Sequence, residues 1–165
     1  MTAEEFAAAL AAAAQELGLT LAGHQLEQYV RLRELLLGWN QAMNLTADTD
    51  DASLLHKHFI DGLVHVVALA ADGPTADLGA GAGLPSLPFK IAAPTVPVTL
   101  IESHQRRAAY MAEAARLLGL EQVTVLPQRA EEVGRDEAHR GRYQRVTARR
   151  VAELSILLEY GLPLL

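Results

Sequence analysis

The chain contains no cysteine. Disulfides and thiolate metal sites are thereby excluded, and a reducing, cytoplasmic setting is expected. No apolar run approaches the ~18 residues that a membrane span needs, so no membrane partner is expected. The opening "MTAEEFAAALAAAAQELG" has two glutamates where a secretion signal carries basic residues, and it reads as a helix rather than a targeting segment. Positive charge is scarce early in the chain. Residues 1–100 hold 4 basic and 11 acidic side chains, whereas residues 101–165 hold 10 and 9. A formal net charge of -6 argues against a general nucleic-acid binder held by bulk electrostatics. Of the 14 basic residues 12 are arginine, whose planar fork of donors suits phosphates and base edges.

What is present is half hydrophobic and 165 residues long, enough for a single core. Apolar spacing predicts helices over 3–17, stopped by Gly18, over 25–40 and over 52–70, so residues 1–70 are expected to form a helical N-terminal extension. From "DGP" at 72–74 the pattern changes. Short strands are expected to end at Leu78 and to occupy "VPVTLIES", "QVTVLPQ" and "YQRVTARRV". Helices are expected from about 88, over "QRRAAYMAEAARLLGL" and over "AELSILLEYGLPLL". Strand and helix in alternation imply a parallel, doubly wound α/β domain over residues 71–165. Trp39 has apolar neighbours at core spacing and is expected inside.

The chemistry-bearing stretch is "TADLGAGAGLP", Thr75 to Pro85. Gly79, Gly81 and Gly83 lack Cβ atoms, so the backbone can turn sharply and approach a ligand closely. A dinucleotide fingerprint needs G-x-G-x-x-G, but position 84 is leucine, and the missing Gly-Lys-Ser/Thr argues against a P-loop. Asp77, two residues before the first glycine, and Glu102, at the end of "VTLIE", make the pattern look like an S-adenosylmethionine fold. In that reading Glu102 accepts from both ribose hydroxyls and Asp77 faces the amino-acid end. His56, His58, Asp61 and His65 fall at helical offsets that make neighbours of His58 and Asp61, and of Asp61 and His65. They read as a helix surface or a polar bridge between the two parts, and no metal is expected.

Six segments together resemble one family, the bacterial 16S rRNA guanine-N7 methyltransferases called RsmG or GidB. "LLLGWNQAMNLTA" is similar to that family's L-x-x-W-N-x-x-x-N-L-T signature, and "HFIDGL" to its H-x-x-D-S segment. "DLGAGAGLPSLPFKI" resembles its glycine loop. "LIESHQRRAAYM", "RAEEV" and "TARRVAEL" resemble three later segments, in the family's order and spacing. The resemblance implies a Rossmann-like class I methyltransferase that uses S-adenosyl-L-methionine and methylates N7 of a guanine in 16S rRNA of the small ribosomal subunit. A catalytically impaired RNA- or ribosome-binding relative is the alternative.

Carried over by position, the resemblance implies a cofactor site that includes Gly79, Leu84, Glu102, Ala130, Glu131 and Arg149. Guanine N7 has an in-plane lone pair and needs no general base. The residues expected to orient its edge are Arg149 first, then Asn44 and Asp61. Four positions depart from the family pattern: Gly62, where serine is usual, Ser86 for glycine, Gln144 for aspartate and Arg150 for alanine. The resemblance also implies strands beyond the fourth. The sheet is therefore expected to be truncated at the C-terminus, with an exposed edge that invites self-association.

Overall fold

The computed structural model describes residues 1–69 and 72–165. The expected end of the third helix at Ala70, and the boundary placed between residues 70 and 71, lie outside the described residues. The chain opens with α1, Ala3–Glu16, whose start is fixed by a reciprocal cap. The Glu5 amide donates to Thr2 Oγ1 (3.1 Å) and the Thr2 amide to Glu5 Oε2 (2.8 Å). Helix α2, Gly23–Met43, is longer than its apolar run alone indicates, and ends at Asn44 in the left-handed conformation (φ 50°). Helix α3, Asp51–Leu54, runs through a π-helical turn at Leu55–Phe59 into α4, Ile60–Ala68.

Four parallel strands come next: β1 Thr75–Leu78, β2 Val98–Ile101, β3 Val123–Leu126 and β4 Arg145–Ala148. Their order is β3-β2-β1-β4. The helices between them are α5 Ser86–Ala92, α6 Gln105–Leu117 and the short α7 Ala130–Val133. Helix α8, Leu154–Gly161, lies after β4 and passes into a 3-10 turn at Leu162–Leu164. This is a mixed α/β fold with a parallel, Rossmann-like sheet. Both faces of the sheet are covered, but unequally. Because strand side chains alternate, Val98 and Leu100 enter the larger core, and Ala76, Leu78 and Ile101 a smaller one.

The larger core is continuous with the helical residues. Phe6, Leu10, Tyr29, Leu36, Phe59 and Leu63 pack in one cluster with Leu87, Phe89, Val98, Tyr110 and Met111. Polar links reinforce this packing. Tyr29 Oη donates to the Pro88 carbonyl (2.6 Å), Gln25 Nε2 to that of Ile91 (2.7 Å) and Gln28 Nε2 to that of Leu118 (2.7 Å). Phe59 sits edge-on to Phe6, with centroids 5.2 Å apart. Trp39, expected inside, is 38% exposed and leans on Tyr110 at the margin of this core. Its helical face is correct, but the core beneath it stops short of covering the indole.

The second face is thinner. Leu154, Ile156, Leu158 and Leu162 remain exposed around α8, and the outer edge of β4 pairs with no strand among the described residues.

Gly62 decides how closely α4 approaches α5. A Cβ there would stand 2.5 Å from Pro88 Cβ and 2.8 Å from the Phe89 amide nitrogen, much of it backbone that cannot yield. Gly62→Ser is therefore expected to lower unfolding free energy by about 1–3 kcal/mol. The urea midpoint measures it, and an unchanged midpoint would contradict this packing.

Candidate functional site

In an open parallel sheet, ligands lodge beyond the carboxyl ends of the strands where the strand order reverses. Here that point lies between β1 and β4. The chain leaves β1 through Gly79 (φ 64°), Gly81 (φ 60°) and Gly83 (φ 72°), all in the left-handed region that favours glycine. The Ala80 amide donates to the Ile101 carbonyl (3.1 Å), and the Gly81 amide to Glu102 Oε2 (2.8 Å). The other oxygen, Glu102 Oε1, accepts from the His104 amide (2.7 Å). Glu102 is 7% exposed, so its carboxylate braces the loop from beneath.

Two cavities flank the loop. One, of about 260 Å³, is floored by Gly79–Ala82 and walled by Leu45, Thr46, Asp48, His58, Leu84 and Arg149. The other, of about 170 Å³, is walled by Ile101, Ser103, Gln128, Ala130, Glu131 and Tyr160, and it shares Gly79. A wider groove of about 390 Å³ between α1 and α2 lies apart from the strand ends, and its lining is mainly apolar.

Arg149 ends the strand segment and crosses to the helical residues. Its Nη1 lies 2.9 Å from both Asp61 Oδ2 and the Lys57 carbonyl, and 3.4 Å from His58 Nδ1. On the far side of that ring, Nε2 is 3.0 Å from Asp48 Oδ2, and Lys57 Nζ is 2.5 Å from Asp48 Oδ1. Burial holds the His58 pKa below its usual value despite Asp48. A neutral ring with its proton on Nε2 satisfies both neighbours, donating to Asp48 and offering Nδ1 to Arg149. The π-helical turn Leu55–Phe59 presents the Lys57 carbonyl and His58 to one guanidinium. His58 and Asp61 thus form a polar bridge.

The structure distributes the other expected residues unevenly. Gly79, Gly81, Leu84 and Arg149 line the first cavity, and Ala130 and Glu131 the second. Gly83 packs under Leu87 and Met111 instead of facing a cavity. Asn44 caps α2, beside the cavity-lining Leu45 and Thr46. Asp77 is 4% exposed and reaches neither cavity. Ser86 Oγ donates to its Oδ2 (2.6 Å) and Thr147 Oγ1 to its Oδ1 (3.2 Å). Asp48, Ser103, Gln128 and Tyr160 were not anticipated. They carry no motif signal, and only the return of the chain brings them to the loop. Among the arginines of the second half of the chain, Arg145 is bound to Asp72 and Arg140 to the Gly134 carbonyl.

A family model described as rRNA small subunit methyltransferase G matches residues 23–165. The chain belongs to the GidB family. Curated relatives named ribosomal RNA small subunit methyltransferase G share its sequence over nearly all of its length. Identity is 46% over 149 residues with that of Roseiflexus castenholzii, covering 89% of this chain and 63% of the relative. With that of Chloroflexus aggregans it is 45% over 153 residues, covering 90% and 63%. With that of Lactococcus lactis subsp. lactis it is 43% over 168 residues, covering 100% and 69%. The chain thus spans somewhat under two thirds of the length of the first two GidB relatives. No helix among the described residues is long and apolar enough to cross a membrane.

Burial pushes the Asp77 carboxyl up to about 6, against two hydrogen bonds that favour its charged form. A folded-state value above the unfolded one means that stability falls as pH rises from about 4 to about 6, because only the unfolded chain ionises there. Asp77→Asn removes that penalty. Its stability relative to the parent is expected to improve by about 2–3 kcal/mol between pH 4 and pH 7, read by urea melts at both. A pH-independent difference would mean that Asp77 ionises as freely in the folded chain as in the unfolded one.

Proposed function

We propose that the chain is an S-adenosyl-L-methionine-dependent methyltransferase acting on N7 of a guanine in 16S rRNA of the small ribosomal subunit. The observation that carries this reading is the bare loop at the strand-order switch, with one cavity on each side of Gly79. The names of the GidB relatives support the rRNA substrate.

The residues present fit such a cofactor. Space beside Gly81 is open, since a Cβ there would meet only the Gly79 oxygen, at 3.9 Å. Glu102 is 7% exposed and lines neither cavity; its oxygens hold the Gly81 and His104 amides, so its part is to fix the loop against which the cofactor lies. Ile101, Ala130 and Tyr160 offer apolar surface to a purine, and Glu131 offers an acceptor to its exocyclic amine. When bound, S-adenosylmethionine supplies an activated methyl, and guanine N7 accepts it without first losing a proton.

The work left to this chain is alignment. Arg149 is held through one nitrogen by Asp61 and the Lys57 carbonyl. Its remaining guanidinium donors have no protein partner among the described residues, and they can bond guanine O6. His58 and Asp48 back this arrangement from the helical side, and Asp61 neutralises Arg149 without displacing it. Neutral His58 adds no positive charge beside Arg149. Asn44 contributes by ending α2 so that Leu45 and Thr46 reach the cavity wall.

The decisive assay is tritium transfer from labelled S-adenosylmethionine to 30S subunits, with S-adenosylhomocysteine binding measured by calorimetry alongside. Label is expected in 16S rRNA. Arg149→Ala is expected to slow transfer by roughly 10²-fold, the scale of a lost orienting contact. NAD binding without homocysteine-nucleoside binding would refute the cofactor assignment. Cofactor binding with no label in RNA would leave a catalytically impaired RNA-binding relative.

A further inference from the structure

The two cavities beside the glycine loop do not merge, and one side chain stands where they meet. Val151 lies directly over Gly79: a Cβ on that glycine would be 2.6 Å from Val151 Cγ2 and 3.2 Å from Cγ1. The Val151 side chain lines the cavity that holds Ala130 and Glu131, while Arg149 and Arg150, just before it in sequence, line the other. The bend that throws it across the loop is at Arg150, a non-glycine residue at φ 56°. Such a conformation is uncommon for a side chain of this size and persists only when its surroundings impose it. The segment between this bend and the start of α8 at Leu154 has no regular structure, and Val151 is 40% exposed.

We infer that Val151 is a wedge that sets cofactor affinity by dividing the crevice at Gly79. This rests on the proposed cofactor assignment, since a nucleoside with an amino-acid tail must occupy both cavities at once. The crevice as it stands is split into about 170 Å³ on the Ala130 side of Gly79 and about 260 Å³ on the Arg149 side. A ligand spanning both must displace the valine, with the 149–153 strap turning outward about Arg150. Apparent affinity is then reduced by the fraction of molecules whose strap is already open. A ligand confined to one side escapes that reduction.

Adenosine and S-adenosylhomocysteine provide the matched pair of probes. Both present the same purine and ribose, but only the second continues past Gly79. Calorimetry with the full chain and with Val151→Ala and Val151→Ile is the test. Val151→Ala is expected to bind S-adenosylhomocysteine about tenfold more tightly, the gain available when the open form is about a tenth of the population. Val151→Ile is expected to bind it more weakly. Val151 also lines the purine side, so adenosine affinity is expected to change too, but by much less than that of S-adenosylhomocysteine, which alone must pass beneath the valine. Because Val151 is partly exposed, melting temperatures of the three chains should agree closely, which separates the wedge from a change in folding. If Val151→Ala binds S-adenosylhomocysteine no more tightly than the parent, the wedge is refuted while the cofactor assignment stands. If neither probe binds any of the three chains, the cofactor assignment fails and the wedge falls with it.

Discussion

The site depends on where the Glu102 carboxylate directs its two oxygens. One holds the Gly81 amide and the other the His104 amide, so a single buried side chain joins the loop after β1 to the turn after β2. A carboxylate at 7% exposure is costly unless hydrogen-bonded, and these two amides are otherwise orphan donors at the ends of strands. Each need answers the other. The loop is consequently held in its left-handed turns before any ligand arrives, and the ordering cost of closing glycines around a ligand is largely met in folding. Asp77 and Ser86 add a second brace, joining β1 to the start of α5.

Arg149 gives the helical residues a part in the site. Without Asp61, Lys57 and His58 this arginine would be a long, mobile cation at a strand end. With them it is fixed in a line of alternating charge and polarity that runs from Lys57 through Asp48 and His58 to Arg149 and Asp61. The helical residues therefore form one wall of the first cavity, and the glycine loop its floor.

The fold was legible because its signals are local. The alternation of short apolar strands with helical spacing located all four strands to within a few residues, and the alanine-rich start and Gly18 located α1. The loop was legible because three glycines at alternate positions have few other uses. What the sequence does not display is which way a polar side chain turns once the chain folds. Glu102 and Asp77 both read as ligand-facing acids, yet their oxygens are engaged by the protein itself, one by backbone amides and the other by hydroxyls from α5 and β4. Asp48 and Tyr160 lie in polar or apolar stretches with no periodic mark, and they reach the site through tertiary contacts alone. Trp39 shows the limit of periodicity: spacing gives the face of a helix, not how far the neighbouring layer extends.

The shared core has a consequence for how the molecule comes apart. Phe6 and Tyr29 pack in the same cluster as Phe89 and Val98, and Tyr29 is bonded to the carbonyl of Pro88, two residues into α5. Helices α1 and α2 cannot melt while the sheet remains intact, since leaving would open the hydrophobic layer beneath β2. Denaturation should then be a single cooperative event in which the arginine wall and the glycine floor vanish together, and no half-folded species keeps a working crevice.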